Sequence, residues 1–173
     1  MEIEDSGTRL ETLAQRLVEL AAAKGMTIVT AESCTAGMLA TVFSKTAGAG
    51  QHFHGGLVTY TKTMKSQVLG VDPELMKRKT MVCDEVAVAM ARGALQATPA
   101  DIAIAITGVA GPEPDEDGNP VGLMCTAIGF SRRDTVHWRK CYPNHGRDEI
   151  LQNVMVDAMT KLADLLEKQR SAA

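Results

Sequence analysis

A three-layer α/β/α sandwich is the fold this sequence predicts, its sheet mostly parallel with one antiparallel hairpin, and three observations carry the expectation. Apolar residues fill 45% of the 173 positions but aromatics only 3%. Aliphatic side chains and methionine must therefore form the core, which suits helices laid on a buried sheet. Helical periodicity alternates with short β-branched or alternating runs along the chain. The last strand-like runs flank a polar turn, the pattern of a hairpin. The length fits a single domain spanning 1–173, with its core at about 8–167.

In chain order, Leu10, Leu13, Leu17, Leu20 and Ala21 recur at three- and four-residue spacing, predicting an amphipathic helix from Thr8 to Lys24 that Gly25 ends. Met26 to Thr30 reads as a buried strand. A helix is expected from Cys34 to Lys45, then a loop at Gly48-Ala49-Gly50 and a strand at Gly56 to Tyr60. Thr63 to Leu69 and Pro73 to Lys77 read as short helices, the second with proline at its first position. Asp84 to Ala97 presents Val86, Met90 and Leu95 on one helical face, and Asp101 to Thr107 alternates as a strand. Residues 108–120 hold three glycines, three prolines and four acidic groups, so they form a long loop of the kind that usually carries function. Val121 to Phe130 and Thr135 to Cys141 flank the turn Ser131–Asp134, and Arg147 to Lys168 closes the chain as a helix.

A net charge of −3 leaves no dominant basic patch, so nucleic acid is not an expected partner. The cysteines at 34, 83, 125 and 141 form no C-x-x-C pair, and the acidic start Met1-Glu2-Ile3-Glu4-Asp5 is unlike a secretory signal. They read as reduced thiols in a cytoplasmic protein. No apolar run reaches the roughly 18 residues of a membrane span, so no membrane partner is expected either.

Ser33 lies at a strand-to-helix turn, where open α/β sheets bind ligands and where free amides could hold an oxyanion. The same position suits a simple helix N-cap. Cys34 beside it is a competing nucleophile, since a helix N-terminus would lower its pKa. Lys65 could serve as base only if burial or a nearby cation made it neutral; by spacing alone it reads as a surface lysine. His52, His54, His137 and His145 occupy no telling context, and two alternating histidines are weak grounds for a metal. Gly108 and Gly111 could bring amides to an anion, but they match neither a Walker loop nor a dinucleotide fingerprint.

Taken together, T-A-E-S-C-T-A-G at 30–37, F-H-G-G-L-V-T-Y at 53–60 with Lys65, T-G-V-A-G-P at 107–112 and P-V-G at 120–122 resemble the CinA C-terminal domain family from about residue 8 to 167. That resemblance, and not the spacing, reverses the plainer readings of Ser33 and Lys65. It implies a nicotinamide-nucleotide amidase that converts nicotinamide mononucleotide to nicotinic acid mononucleotide and ammonia, in pyridine nucleotide salvage, without metal or organic cofactor. By the same resemblance Ser33 is the nucleophile, Lys65 the general base and Tyr60 the hydroxyl completing the set. Cys34 and Thr35 supply amides near the oxyanion, Thr107, Gly108 and Gly111 border the pocket, and Arg147 pairs with the substrate phosphate. A stand-alone chain assembling as a homo-oligomer is also implied.

Four departures from the family pattern bear on this expectation. Ala36 stands where glycine is common and matters little if that residue is helical. Cys83 replaces a serine near the pocket, His145-Gly146-Arg147 replaces a Gly-Asp-Arg run, and 113–119 is acidic where glycine is usual. The rival readings are a catalytically silent nucleotide-binding member of the same fold, a hydrolase of a different small amide, and a thiol hydrolase using Cys34.

Overall fold

The computed structural model describes residues 6–168. The chain runs α1 (Ser6–Ala22), β1 (Ile28–Glu32), α2 (Met38–Ser44), α3 (Ala49–His52), β2 (Phe53–Val58), α4 (Lys62–Leu69), α5 (Pro73–Lys79), α6 (Asp84–Ala97), β3 (Ile102–Gly108), β4 (Leu123–Phe130), β5 (Arg133–Cys141) and α7 (Arg147–Lys168). The strands form one mixed sheet in the order β2-β1-β3-β4-β5. β1 pairs parallel with β2 and β3, whereas β4 is antiparallel to both β3 and β5.

The run Ile102-Ala103-Ile104-Ala105-Ile106 shows how sequence builds the three layers. Successive strand residues face opposite sides. The three isoleucines enter the core shared with α1, α2 and α7, and the two alanines enter the core beneath α6. Both cores are sealed, with Leu17, Phe43, Met90 and Met159 fully buried. Small residues on the second face let α6 lie close to the sheet. There Gly93 touches the last turn of α4, where an added Cβ would stand 1.9 Å from the Leu69 carbonyl oxygen.

The middle of the sheet also decides where a ligand can sit. From β1 the chain leaves toward β2, and from β3 it leaves toward β4, on the opposite side. The carboxyl ends of these neighbouring strands therefore frame the switch point at which open α/β sheets bind ligands.

Several boundaries differ from the sequence expectation. The helix expected from Cys34 begins at Met38, because residues 34–37 form a turn in which Ala36 (φ 48°) and Gly37 (φ 93°) are both left-handed. Ala36 is thus not helical, and an L side chain there carries the strain of a conformation that suits glycine. Ala49–His52 forms one helical turn within the expected loop, and β2 starts three residues early, at Phe53. The hairpin turn is tighter than expected: β5 begins at Arg133, which pairs with Phe130 and lays its guanidinium 3.3 Å from that ring's centre. No helix among the described residues is long and apolar enough to cross a membrane.

Candidate active site

Ser33 directly follows β1. Its amide donates to the Ile106 carbonyl at 3.0 Å, which carries the β1–β3 pairing one step past the strand and holds the residue at the switch point. The side chain is 5% exposed. Across from it, Lys65 reaches in from α4. That helix is stopped at both ends by local chemistry: Thr61 Oγ1 accepts from the Met64 amide, and Gly70 takes the left-handed conformation at the C-terminus. Lys65 and Leu69, four residues apart, share its buried face.

Lys65 is fully buried, and its Nζ donates to Ser33 Oγ at 2.7 Å and to the Thr59 carbonyl at 2.7 Å. Neither partner is a carboxylate. Burial without a counter-charge lowers the lysine to about 8, only weakly opposed by the Cys34 thiol. The sequence alone makes Lys65 a surface lysine; the fold makes it a buried amine touching the serine.

The residue that holds this turn in shape is one the sequence reading passed over. Glu32, fully buried at the end of β1, accepts at Oε2 from the amides of Gly37 (3.0 Å) and Leu39 (3.1 Å). At Oε1 it accepts from the Ala40 amide (2.8 Å) and the Thr30 hydroxyl (2.9 Å). The carboxylate thereby caps α2 in place of Ser33, which is no helix cap. Gly56 on β2 leaves the room: a Cβ there would come within 2.5 Å of Ala40 Cβ and 2.8 Å of Thr30 Oγ1. An acid ending an otherwise apolar strand was the available signal.

Cys34 departs from expectation in sign. Its thiol packs on Met124 Sδ at 3.7 Å, and burial pushes its pKa up to about 12, outweighing Lys65 and Arg147 nearby. The helix that was to lower it starts four residues later and spends its first amides on Glu32. Iodoacetamide at pH 8 is therefore expected to modify exposed Cys141 while Cys34 stays unlabelled. Peptide mass mapping under native conditions checks this, and rapid labelling of Cys34 would contradict the assignment.

A cleft of about 170 Å³ opens over Ser33. Ser33, Cys34, Tyr60, Gly108, Gly111 and Arg147 line it, as do Met81, Val82, Glu113 and Asp115, which the sequence reading did not single out. Thr35 and Thr107 are fully buried and lie outside the lining. The Thr107 hydroxyl donates to the Met81 carbonyl at 3.1 Å, tying β3 to the segment before α6. Cys83 is also outside the lining, packed in the second core at the start of α6 with Sγ 3.8 Å from the Thr80 carbonyl.

Tyr60 is 53% exposed; its carbonyl, not its hydroxyl, approaches Lys65, at 3.5 Å. Arg147, the first residue of α7, donates to the carbonyls of Gly111 (3.2 Å) and Cys34 (3.3 Å) and so bridges the loops after β3 and β1. The acidic loop is fastened from within by Asp115, which accepts from the amides of Asp117 and Asn119. Lys62 ties it to α4 through ion pairs with Glu116 and Asp117. His52 ends α3, its Nδ1 3.1 Å from the Met26 carbonyl, whereas His54 is exposed on β2.

A mixed α/β sandwich with a buried serine–lysine pair at the switch point of its sheet is the class these features define. The chain belongs to the CinA C-terminal domain family, which matches residues 10–166. It is 36% identical over 155 residues to the nicotinamide-nucleotide amidohydrolase PncC of Shigella flexneri, across 90% of this chain and 93% of that one. A CinA-like protein of Mycolicibacterium vanbaalenii is 47% identical over 107 residues, which is 62% of this chain but 25% of that longer one. Among solved structures, the competence/damage inducible protein CihA from Agrobacterium tumefaciens aligns with a TM-score of 0.87 at 34% identity, covering 91% of this chain and 95% of that one. A CinA superfamily protein from Klebsiella pneumoniae aligns equally well at 32% identity, over 92% and 98%.

Proposed function

We propose that this protein hydrolyses the carboxamide of nicotinamide mononucleotide, giving nicotinic acid mononucleotide and ammonia, with Ser33 as nucleophile and Lys65 as general base. The observation that carries the chemistry is the 2.7 Å contact between Ser33 Oγ and a fully buried Lys65 Nζ. The activity named for the PncC relative supports the choice of substrate.

The steps follow from the geometry. With Lys65 neutral, its lone pair accepts the Ser33 proton while an N–H still donates to Thr59; Oγ attacks the amide carbon as the proton leaves. The developing oxyanion needs donors. Bonds inside the turn run from the Ala36 amide to Ser33 and from the Met38 amide to Thr35, and they use neither the Cys34 nor the Thr35 amide. The Cys34 amide, beside Ser33 on the cleft lining, is the donor in our reading. Collapse of the intermediate breaks the C–N bond, and protonated Lys65 returns its proton to the departing nitrogen as ammonia. Water, deprotonated by the same lysine, then attacks the acyl-serine and frees the acid. Tyr60 and Arg147 stand at the cleft wall to meet the rest of the substrate.

Ammonia and acid release from nicotinamide mononucleotide, by wild type and by Ser33→Ala, tests the reading. Turnover by wild type alone supports it. Absence of turnover by both refutes it in favour of a silent binder or another amide.

The pH dependence has a definite sign. A base must be unprotonated to act, and at pH 7 on the order of one tenth of Lys65 is neutral if it titrates near 8. The rate is therefore expected to rise about tenfold per pH unit below 8 and to level off above it. Initial rates from pH 6 to 9.5 check this; a rate that falls through that range would exclude Lys65 as the base.

A further inference from the structure

We infer that Glu32 is a positioning residue for the nucleophile: its carboxylate decides which backbone amides are left to face the substrate. The inference rests on the serine-nucleophile reading and adds the residue that shapes the site around it.

Four donors converge on two oxygens at 2.8–3.1 Å: three amides from the start of α2 and the Thr30 hydroxyl. A helix N-terminus close to a reacting centre would ordinarily be the strongest local source of amide donors. Here those donors are drawn back onto β1. The reversal needs two consecutive left-handed residues, Ala36 and Gly37, and the carboxylate bonds to the second of them directly. What remains on the cleft side is the short turn carrying Ser33 and Cys34.

The Glu32 backbone is engaged as well. Its carbonyl accepts from the Thr59 amide at 2.8 Å, and the Thr59 carbonyl in turn holds Lys65 Nζ. One residue thus fixes the nucleophile's turn through its side chain and the lysine's acceptor through its main chain. Only the first of these links is open to substitution.

Glutamine is the discriminating replacement. It keeps the shape but turns one oxygen into a donor, so one pair of converging donors loses its acceptor. Glu32→Gln is expected to lower kcat about 100-fold, the scale of a disturbed oxyanion site, with KM changed less than about threefold. The midpoint of the pH profile should stay where it is in wild type, since Lys65 keeps its contacts.

Thr30→Val, which removes a single donor at nearly constant volume, gives a milder version should the glutamine variant fail to fold. It is expected to lower kcat by about three- to tenfold at unchanged KM. A folded Glu32→Gln protein with wild-type kcat would overturn the inference, as would a Thr30→Val protein that loses stability but no activity. A shifted pH midpoint would also overturn it, because Glu32 would then act on Lys65 by charge.

Sulfonylation of Ser33 by a sulfonyl fluoride, in which Oγ displaces fluoride from sulfur, followed by intact mass, supplies a readout independent of the natural substrate. Wild type labelled at Ser33, with Glu32→Gln labelled about 100-fold more slowly, supports the inference. Equal labelling of the two overturns it and leaves the nucleophile reading standing. No labelling of wild type, together with no turnover, removes both.

Discussion

Replacing Lys65 by methionine is expected to lower kcat/KM for amide hydrolysis by about 10³–10⁴-fold while leaving the protein at least as stable at pH 7. Both halves follow from one observation, a lysine with no exposed surface and no carboxylate partner. Methionine has nearly the same volume, so the core stays filled.

The stability half has a sign fixed by linkage. In the unfolded chain a lysine titrates near 10.4, whereas burial holds the folded one at about 8. Below about 8 both states carry the proton, and the folded state bears the full penalty, on the order of 3 kcal/mol. Between about 8 and 10.4 the folded state sheds the proton while the unfolded state keeps it, so wild type gains stability as pH rises. Lys65→Met lacks that penalty and that slope, although it leaves the Thr59 carbonyl without a donor at a cost of about 1–2 kcal/mol. Urea melts at pH 7 and pH 10 for both proteins check this. A variant much less stable than wild type at pH 7, with its pH slope intact, would mean that the lysine is structural.

The second large effect is expected at Gly93, some distance from the cleft. A methyl group there would lie 1.9 Å from the Leu69 carbonyl oxygen and 2.7 Å from its carbon, and both are backbone atoms that no rotamer change removes. α4 must therefore lift from α6. Overpacking of this kind costs about 1–3 kcal/mol or more, of which alanine's better helix propensity returns roughly 1 kcal/mol.

We expect Gly93→Ala to lose about 2 kcal/mol in urea unfolding. Because Leu69 is one turn from Lys65 on the same buried face, the lift also draws Nζ from Ser33. Misplacement by about 1 Å costs on the order of 100-fold in rate, so the folded variant should be slow as well as less stable. Gly50→Ala, where nothing lies within 4 Å of the added atom, serves as the control and should lose neither stability nor activity. Unchanged activity in a destabilised Gly93→Ala protein would show that α4 does not transmit the contact.

Some local chemistry was legible from neighbours in sequence. Asp72 and Pro73 start α5, with Asp72 Oδ1 accepting from the Glu74 amide, and Thr61 and Gly70 bracket α4. The alternation of isoleucine and alanine in β3 was enough to assign a strand, and the turn after β1 was enough to make Ser33 a candidate beside its plainer reading as a helix cap. Lys65 entered through the resemblance of several spaced motifs, since one lysine on a short helix looks like any surface lysine.

The tertiary structure decided what depends on groups far apart in the chain. Lys65 is buried because α6, through Gly93, seats the helix that carries it. Arg147 reaches the site from more than 100 residues away, and burial against Met124 pushes the Cys34 thiol up. The acid at 32 is part of the site because two left-handed residues turn a helix back toward it. Periodicity and propensity report which face of an element is apolar. They do not report which elements pack together, and desolvation, which sets the chemistry of Lys65 and Cys34, comes only from that packing.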